Sequence, residues 1–380
     1  MPKNIDNTDL LAQINQETEA STSRGRGQAL ARQLVAYNYE DVGIVDGGKV
    51  YVQGLRTSVE SVIKTEAYKL RSQYHSLPSN KKAIVSLGLN SIIDLSFASR
   101  HSQTTLLKPQ QWSELKKMFR PKAYRISDYN DIKEILRPAV KSYKDNRTFN
   151  LNWLAMNKKI KELEREYDLE SNASNKDVSF CIHLLLQVLL IIKYQPSLFN
   201  DQIVNSECDF IFKFWGVTIE RLFCATNFHL KWKDTYLTMH NIISNTNFKV
   251  DPRIVNDKIY KRYNTGNDIA VAEVVEHDSG DAKFIGDRVK VSIENKVIIE
   301  KYLLDSVRII SVDALQFSGL QVFFLNTSLK TSGLYVSTEF CHYSITNSLS
   351  NFSTYVDLAI QLLCFRDACI SNSNLYDNHF

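Results

Sequence analysis

Residues 268–276, Asp-Ile-Ala-Val-Ala-Glu-Val-Val-Glu, constrain the fold more than any other stretch of the chain. Small and β-branched residues alternate with no Gly or Pro between them, which is the pattern of a strand. Period-two alternation sets Ile269, Val271, Glu273 and Val275 on one face, and Ala270, Ala272, Val274 and Glu276 on the other. Both faces are largely apolar, so the strand belongs inside a sheet with helices against it. Glu273 sits among the β-branched side chains. A carboxylate there is costly unless it is paired, protonated or bound to a metal.

The neighbouring signals build an α+β or α/β fold around this strand. Helical patterns at 179–193 and about 203–224 precede it, and Lys249–Val255 reads as a first strand. A long helix over about 281–305 follows, then strands at Val307–Val312, Leu320–Leu329 and Gly333–Thr338, then a helix over about 351–369. That order predicts a mixed sheet flanked by helices.

The first half reads differently. Residues 1–30 are polar and predict a disordered tail. Val42–Val45 and Lys49–Val52 around Asp46-Gly47-Gly48 predict a hairpin, and helices are expected over Leu55 to Tyr74 and Lys82–Phe97. Residues 31–168 are therefore expected to be mainly helical, 169–178 a linker, 179–371 the α/β domain and 372–380 a C-terminal tail.

Composition narrows the class. The net charge of +4 permits a local basic groove for nucleic acid but does not require one. The six cysteines form no CxxC pair, so neither structural zinc nor a disulfide is expected, and buried thiols in a reducing compartment are. The N-terminus lacks a signal-peptide pattern. The most apolar run, Ile182–Ile192, falls short of the roughly 20 residues a membrane span needs. The chain is expected to be intracellular, in the nucleus or cytoplasm, and not in a membrane. GxGxxG, P-loop, GxSxG and HExxH motifs are all absent from the sequence.

Three acidic residues could instead carry chemistry: Glu207 in the first turn of its helix, Asp251 in the first strand and Glu273 in the second. Mg²⁺ or Mn²⁺ takes hard oxygen ligands, polarises a phosphodiester and activates a water; a nearby lysine steadies the developing negative charge. The order helix-Glu, strand-Asp, strand-Glu resembles the PD-(D/E)XK, or restriction-endonuclease-like, nuclease superfamily. The resemblance implies a core of that type over 179–371 with Asp251, Glu273 and a lysine catalytic, and Glu207, Asp251 and Glu273 holding the metal. The usual lysine position falls on Val275, so the pattern is broken there. Some members carry that lysine on the following helix, where Lys290 is the choice and Lys283 and Lys296 are rivals. Lys261 and Arg262, between Tyr260 and Tyr263, would contact a phosphate backbone. The missing lysine keeps open an inactive nucleic-acid- or protein-binding module on the same fold. Phe212-Lys-Phe-Trp-Gly216, Glu220-Arg-Leu-Phe223 and Leu363-Cys-Phe-Arg-Asp367 also resemble uncharacterised mucoralean fungal proteins, which carry no known activity.

Each residue also has a structural alternative. Glu273 could be a buried carboxylate paired with Arg, Lys or backbone. Asp251, before Pro252, could belong to a turn, and Glu207 could answer the helix macrodipole. A lysine such as Lys290 on a helix ordinarily faces water.

Overall fold

A computed structural model describes residues 49–96, 102–121, 124–141, 149–167, 175–232, 235–236, 249–250, 252–260, 263–275, 280–331 and 333–379. In the first half the helices are α1 (Val59–Arg71), α2 (Ser79–Leu89), α3 (Pro109–Met118), α4 (Asn130–Lys141) and α5 (Phe149–Glu166), with strand β1 (Ile92–Asp94) between α2 and α3. Then follow α6 (Lys176–Tyr194), α7 (Glu207–Phe210), a π-helical turn (Ile211–Trp215) and α8 (Gly216–Phe223). The strands β2 (Phe228–Lys231), β3 (Thr235–Tyr236), β4 (Lys249–Val250), β5 (Arg253–Tyr260) and β6 (Tyr263–Val275) lead to α9 (Gly280–Leu304). The chain continues through β7 (Ser311–Ser318), β8 (Gln321–Thr331), β9 (Leu334–Ser344) and α10 (Phe352–Asp377).

Seven strands form one mixed sheet in the order β1-β9-β8-β7-β6-β5-β2, and β3 pairs with β4 apart from it. The pair β6–β7 is parallel, joined through α9, and β1–β9 is parallel; the other neighbours are antiparallel. Apolar side chains on both faces of β6 explain its central place. Val271 joins the core beneath α9, and Ala270, Ala272 and Val274 join the larger core on the other face, which α6 and α10 cover. The expected mixed α/β architecture is present, and the α9 and α10 ranges begin close to where the periodicity placed them.

The first half does not stand apart from the sheet. Residues 92–94, expected to lie within a helix, form edge strand β1 beside Tyr335, Val336 and Ser337. Asn90 ends α2, its side chain bonding to the Ser86 carbonyl at 2.9 Å, and Ser91 adopts a φ of 58°. That left-handed residue turns the chain, after which the β-branched pair Ile92-Ile93 suits a buried sheet edge. Lys49–Val52 forms no strand; Val50 and Val52 enter a small core with Val59 and Trp112, and residues 42–48 lie outside the described residues. On either side of 168–174, which also lie outside them, the helices share one core. Leu136 of α4 and Met156 of α5 belong to the same cluster as Leu185 of α6 and Phe365 of α10. α10 runs past the expected end at 369, because Ser373 is buried against β5 through Asn256 at 2.8 Å. α6 is long and apolar enough to span a membrane by length and composition, but most of it is buried in this core, and Trp153 donates to its Leu189 carbonyl at 2.9 Å.

Helices α1 and α2 cross at Gly88. A Cβ there would lie 2.6 Å from the Ile63 carbonyl oxygen and 2.7 Å from the Ala67 Cβ. The first obstacle is backbone, so it cannot rotate away. Gly88→Ala is expected to lower stability by about 1–3 kcal/mol, despite alanine's higher helix propensity. Urea denaturation measures this, and a gain in stability would contradict the tight crossing.

Candidate functional site

α9 is buried almost all round, although it carries seven charged residues between Asp287 and Lys301. The sheet lies beneath it and α2 covers its other side. A helix so enclosed must answer its charges internally. Lys283, Asp287, Lys290 and Glu294 recur at steps of three and four, so they share one stripe of the helix.

The stripe begins at the surface. Lys283 donates to Glu207 at the start of α7, and both side chains keep solvent exposure. Glu207 is therefore tied to α9, and capping falls to its neighbours. Ser206 Oγ accepts from the Asp209 amide, and Asp209 accepts from the Ser206 amide at 2.9 Å. Hydrogen bonds from Lys213 and Ser206 hold the Asp209 carboxyl down at about 2. The π-helical turn after α7 requires Gly216, since a Cβ there would lie 2.7 Å from the Ile211 carbonyl oxygen.

Further along the stripe, Lys290 Nζ lies 2.7 Å from each carboxylate oxygen of Glu273. The side chains are 7% and 6% exposed, so the pair is sealed from water. Burial pushes the Glu273 carboxyl well above its ordinary range; Lys290 opposes this, and Glu294 and Asp287 reinforce it. Burial works against the Lys290 ammonium, but Glu273, Glu294 and Asp287 outweigh it and hold its pKa above the usual lysine value. With three carboxylates around one ammonium, we assign the retained proton to the carboxylates and the positive charge to Lys290. Glu273 Oε1 accepts the lysine hydrogen bond. Oε2 lies at the same distance from the ammonium and is held by its charge.

These contacts sort the sequence candidates. Lys290 does not face water; it meets Glu273 because α9 is the crossover between β6 and β7 and lies over β6. Lys283 serves Glu207. Lys296 lies 3.4 Å from Glu300 and over the Tyr335 ring, away from Glu273. Asp251, Lys261 and Arg262 lie outside the described residues. The next residue after Asp251 is held beside β6, since the Pro252 carbonyl accepts from the Ala272 amide at 2.9 Å. Arg253 further fastens β5 to β6 by a buried ion pair with Asp268 at 2.5 Å. His229 is exposed on β2, and the six cysteines are free.

Sequence reasoning missed the group next to this stripe. Gln316 stands beside Glu273 in the β6–β7 register. Its Oε1 accepts from Arg288 Nε at 2.8 Å, and Arg288 also meets Glu339 of β9 at 2.7 Å. The guanidinium lies 4.9 Å and 5.0 Å from the Phe284 and Phe323 ring centres. Asp94 is raised by burial and partly lowered by Arg288. Only the charge of Arg288 at the start of a long helix signalled anything locally; its partners come from β1, β7 and β9.

Among the described residues no three His, Cys, Asp or Glu side chains converge as metal ligands. No family model matches the chain, and neither a curated protein nor a solved structure shows significant similarity to it.

Proposed function

We propose that the protein is a metal-dependent nuclease-like hydrolase of nucleic-acid phosphodiesters, built on a restriction-endonuclease-like arrangement of β5, β6 and α9. One observation carries this reading. The lysine on the helix after the Glu strand, taken from the sequence to replace the missing one, lies 2.7 Å from Glu273. Glu273 and Asp251 would hold Mg²⁺ or Mn²⁺, with Glu207 at the open end of the stripe. Mg²⁺ commonly needs only one or two protein carboxylates, and Glu273 Oε2 would exchange its 2.7 Å contact with the Lys290 ammonium for the ion. The ion would supply Lewis acidity toward the phosphate and a more acidic bound water. Lys290 would steady negative charge next to Glu273, and Lys261 and Arg262 would contact the substrate backbone. Nucleic acid would be the partner, in the nucleus or the cytoplasm.

Incubating the full chain with plasmid DNA, single-stranded DNA or RNA in Mg²⁺ or Mn²⁺ is expected to give cleavage. Glu273→Gln is expected to reduce it by about 100-fold or more while circular dichroism shows the fold intact. Because Glu273 retains its proton beyond the ordinary range, cleavage should rise with pH as metal displaces that proton. Cleavage unchanged in Glu273→Gln would sink the assignment.

The sealed Glu273–Lys290 ion pair favours a second reading, an inactive binding module on the same fold. It expects no cleavage but DNA or RNA binding whose affinity falls linearly with the logarithm of salt concentration.

A further inference from the structure

The sheet face opposite α9 changes character along its length. Phe317 stands beside Val322, and Leu315 beside Phe324, both pairs buried in the large core. The next pairs on that face are Asp313 with Asn326 and Ser311 with Ser328. No core covers these polar pairs. They floor a cleft of about 550 Å³, walled by the second half of α10 and by residues 119–121 and 124–129. That volume lies within the range of roughly 300–1,000 Å³ typical of small-molecule sites.

Charge at the cleft is unevenly committed. Asp313 accepts from Tyr124 Oη at 2.7 Å and from Asn326 Nδ2 at 2.6 Å. Asp367 is paired with Arg366 at 2.7 Å and accepts from the Tyr129 hydroxyl. Asp128 is an exposed carboxylate at the rim. Against it stand three exposed cations, Arg120, Arg125 and Lys330, none with an ion-pair partner among the described residues. Three cations that no carboxylate of the described residues touches, over a hydrogen-bonding floor, can take a multiply charged anion, with Asp128 and Asp313 as the negative charges it must tolerate in the same cleft. Two of the cations are guanidiniums, which match phosphate oxygens in a bidentate fork.

We propose that this cleft binds a phosphorylated small molecule of mononucleotide size, its phosphate groups held by Arg120, Arg125 and Lys330. Tyr124, edge-on to Phe340 with ring centres 4.7 Å apart, has its hydroxyl fixed on Asp313 and so forms a rigid wall for the organic part. The site is separate from Glu273 and Lys290, which lie under α9 on the other face, so it can be tested independently of any cleavage.

Calorimetric titration of the full chain with ADP, pyrophosphate and adenosine tests the proposal. Saturable binding of ADP or pyrophosphate, with none of adenosine, is expected. Arg125→Ala with Lys330→Ala should weaken it by about 10-fold or more, since each lost contact is a charge-assisted hydrogen bond. Both substitutions fall on exposed side chains, so the unliganded melting temperature should stay put; Arg125→Lys with Lys330→Arg should retain most of the affinity. No saturable binding of either phosphate probe, or equal binding by the double alanine variant, would overturn it.

Discussion

Lys290→Met is expected to cost about 3–5 kcal/mol of folding free energy at neutral pH, read as a lower urea midpoint with an unchanged slope. The substitution keeps the length of the side chain and removes the ammonium that Glu273 meets at 2.7 Å. Glu273 then shares the interior with the Asp287 and Glu294 carboxylates and has no cation against it. Burial already raises the Glu273 carboxyl, and losing Lys290 raises it further. A folded-state value above the unfolded one means that the folded chain holds the proton longer. Stability is then fully present below the ordinary glutamate range of about 4.3 and is lost as pH rises toward the folded-state value. The deficit of Lys290→Met should therefore be smaller near pH 5 than near pH 8. Removing both partners, as Glu273→Leu with Lys290→Met, should recover most of the loss, because buried pairs are often replaceable by apolar side chains of similar volume. An equal deficit at both pH values would show that lost packing, not an uncompensated carboxylate, is responsible.

Trp215→Ala should destabilise the chain by a comparable amount, about 3–5 kcal/mol. Trp215 is fully buried, with its ring 4.7 Å from Phe214 and 4.6 Å from Phe317. Its Nε1 donates at 2.7 Å to the carbonyl of Gly319, the positive-φ residue in the turn between β7 and β8. One side chain thus anchors the α7–α8 segment to the sheet. Trp215→Phe keeps most of the apolar volume and removes the donor, so it should cost less, about 1–3 kcal/mol for the unsatisfied carbonyl and the lost ring area. Because the anchor also sets where α7 begins, Trp215→Ala should loosen the Glu207–Lys283 contact. A Trp215→Phe cost equal to that of Trp215→Ala would place the whole effect in the hydrogen bond.

The candidate site was legible only in pieces. Glu273 could be singled out because a carboxylate among Ile269, Val271 and Val275 violates the local pattern. Its partner could be narrowed to three lysines of one helix, but spacing could not choose among them. Lys283, Lys290 and Lys296 each take a different acidic partner, and which one depends on how α9 crosses the strands. Arg288 with Gln316 and Glu339 left no trace that could be joined in advance. The cleft cations Arg120, Arg125 and Lys330 are likewise brought together from distant parts of the chain.

Local order in the sequence determined that residues from 268 on would form a strand apolar on both faces and that a long helix would follow it; the start of β6 at Tyr263 was not part of that pattern. Side-chain alternation, β-branching and helical periodicity act between near neighbours, so they can be read before the packing is known. The tertiary structure alone decided that Ile92–Asp94 would join the sheet, that the helices on both sides of 168–174 would share a core, and that Lys290 would be buried. A three-residue edge strand takes its stability from its partner, and α9, enclosed by the sheet and α2 beyond its first turn, has no solvent face at Lys290. The charge of Lys290 was written in the chain; its meeting with Glu273 was set by the crossover from β6 to β7.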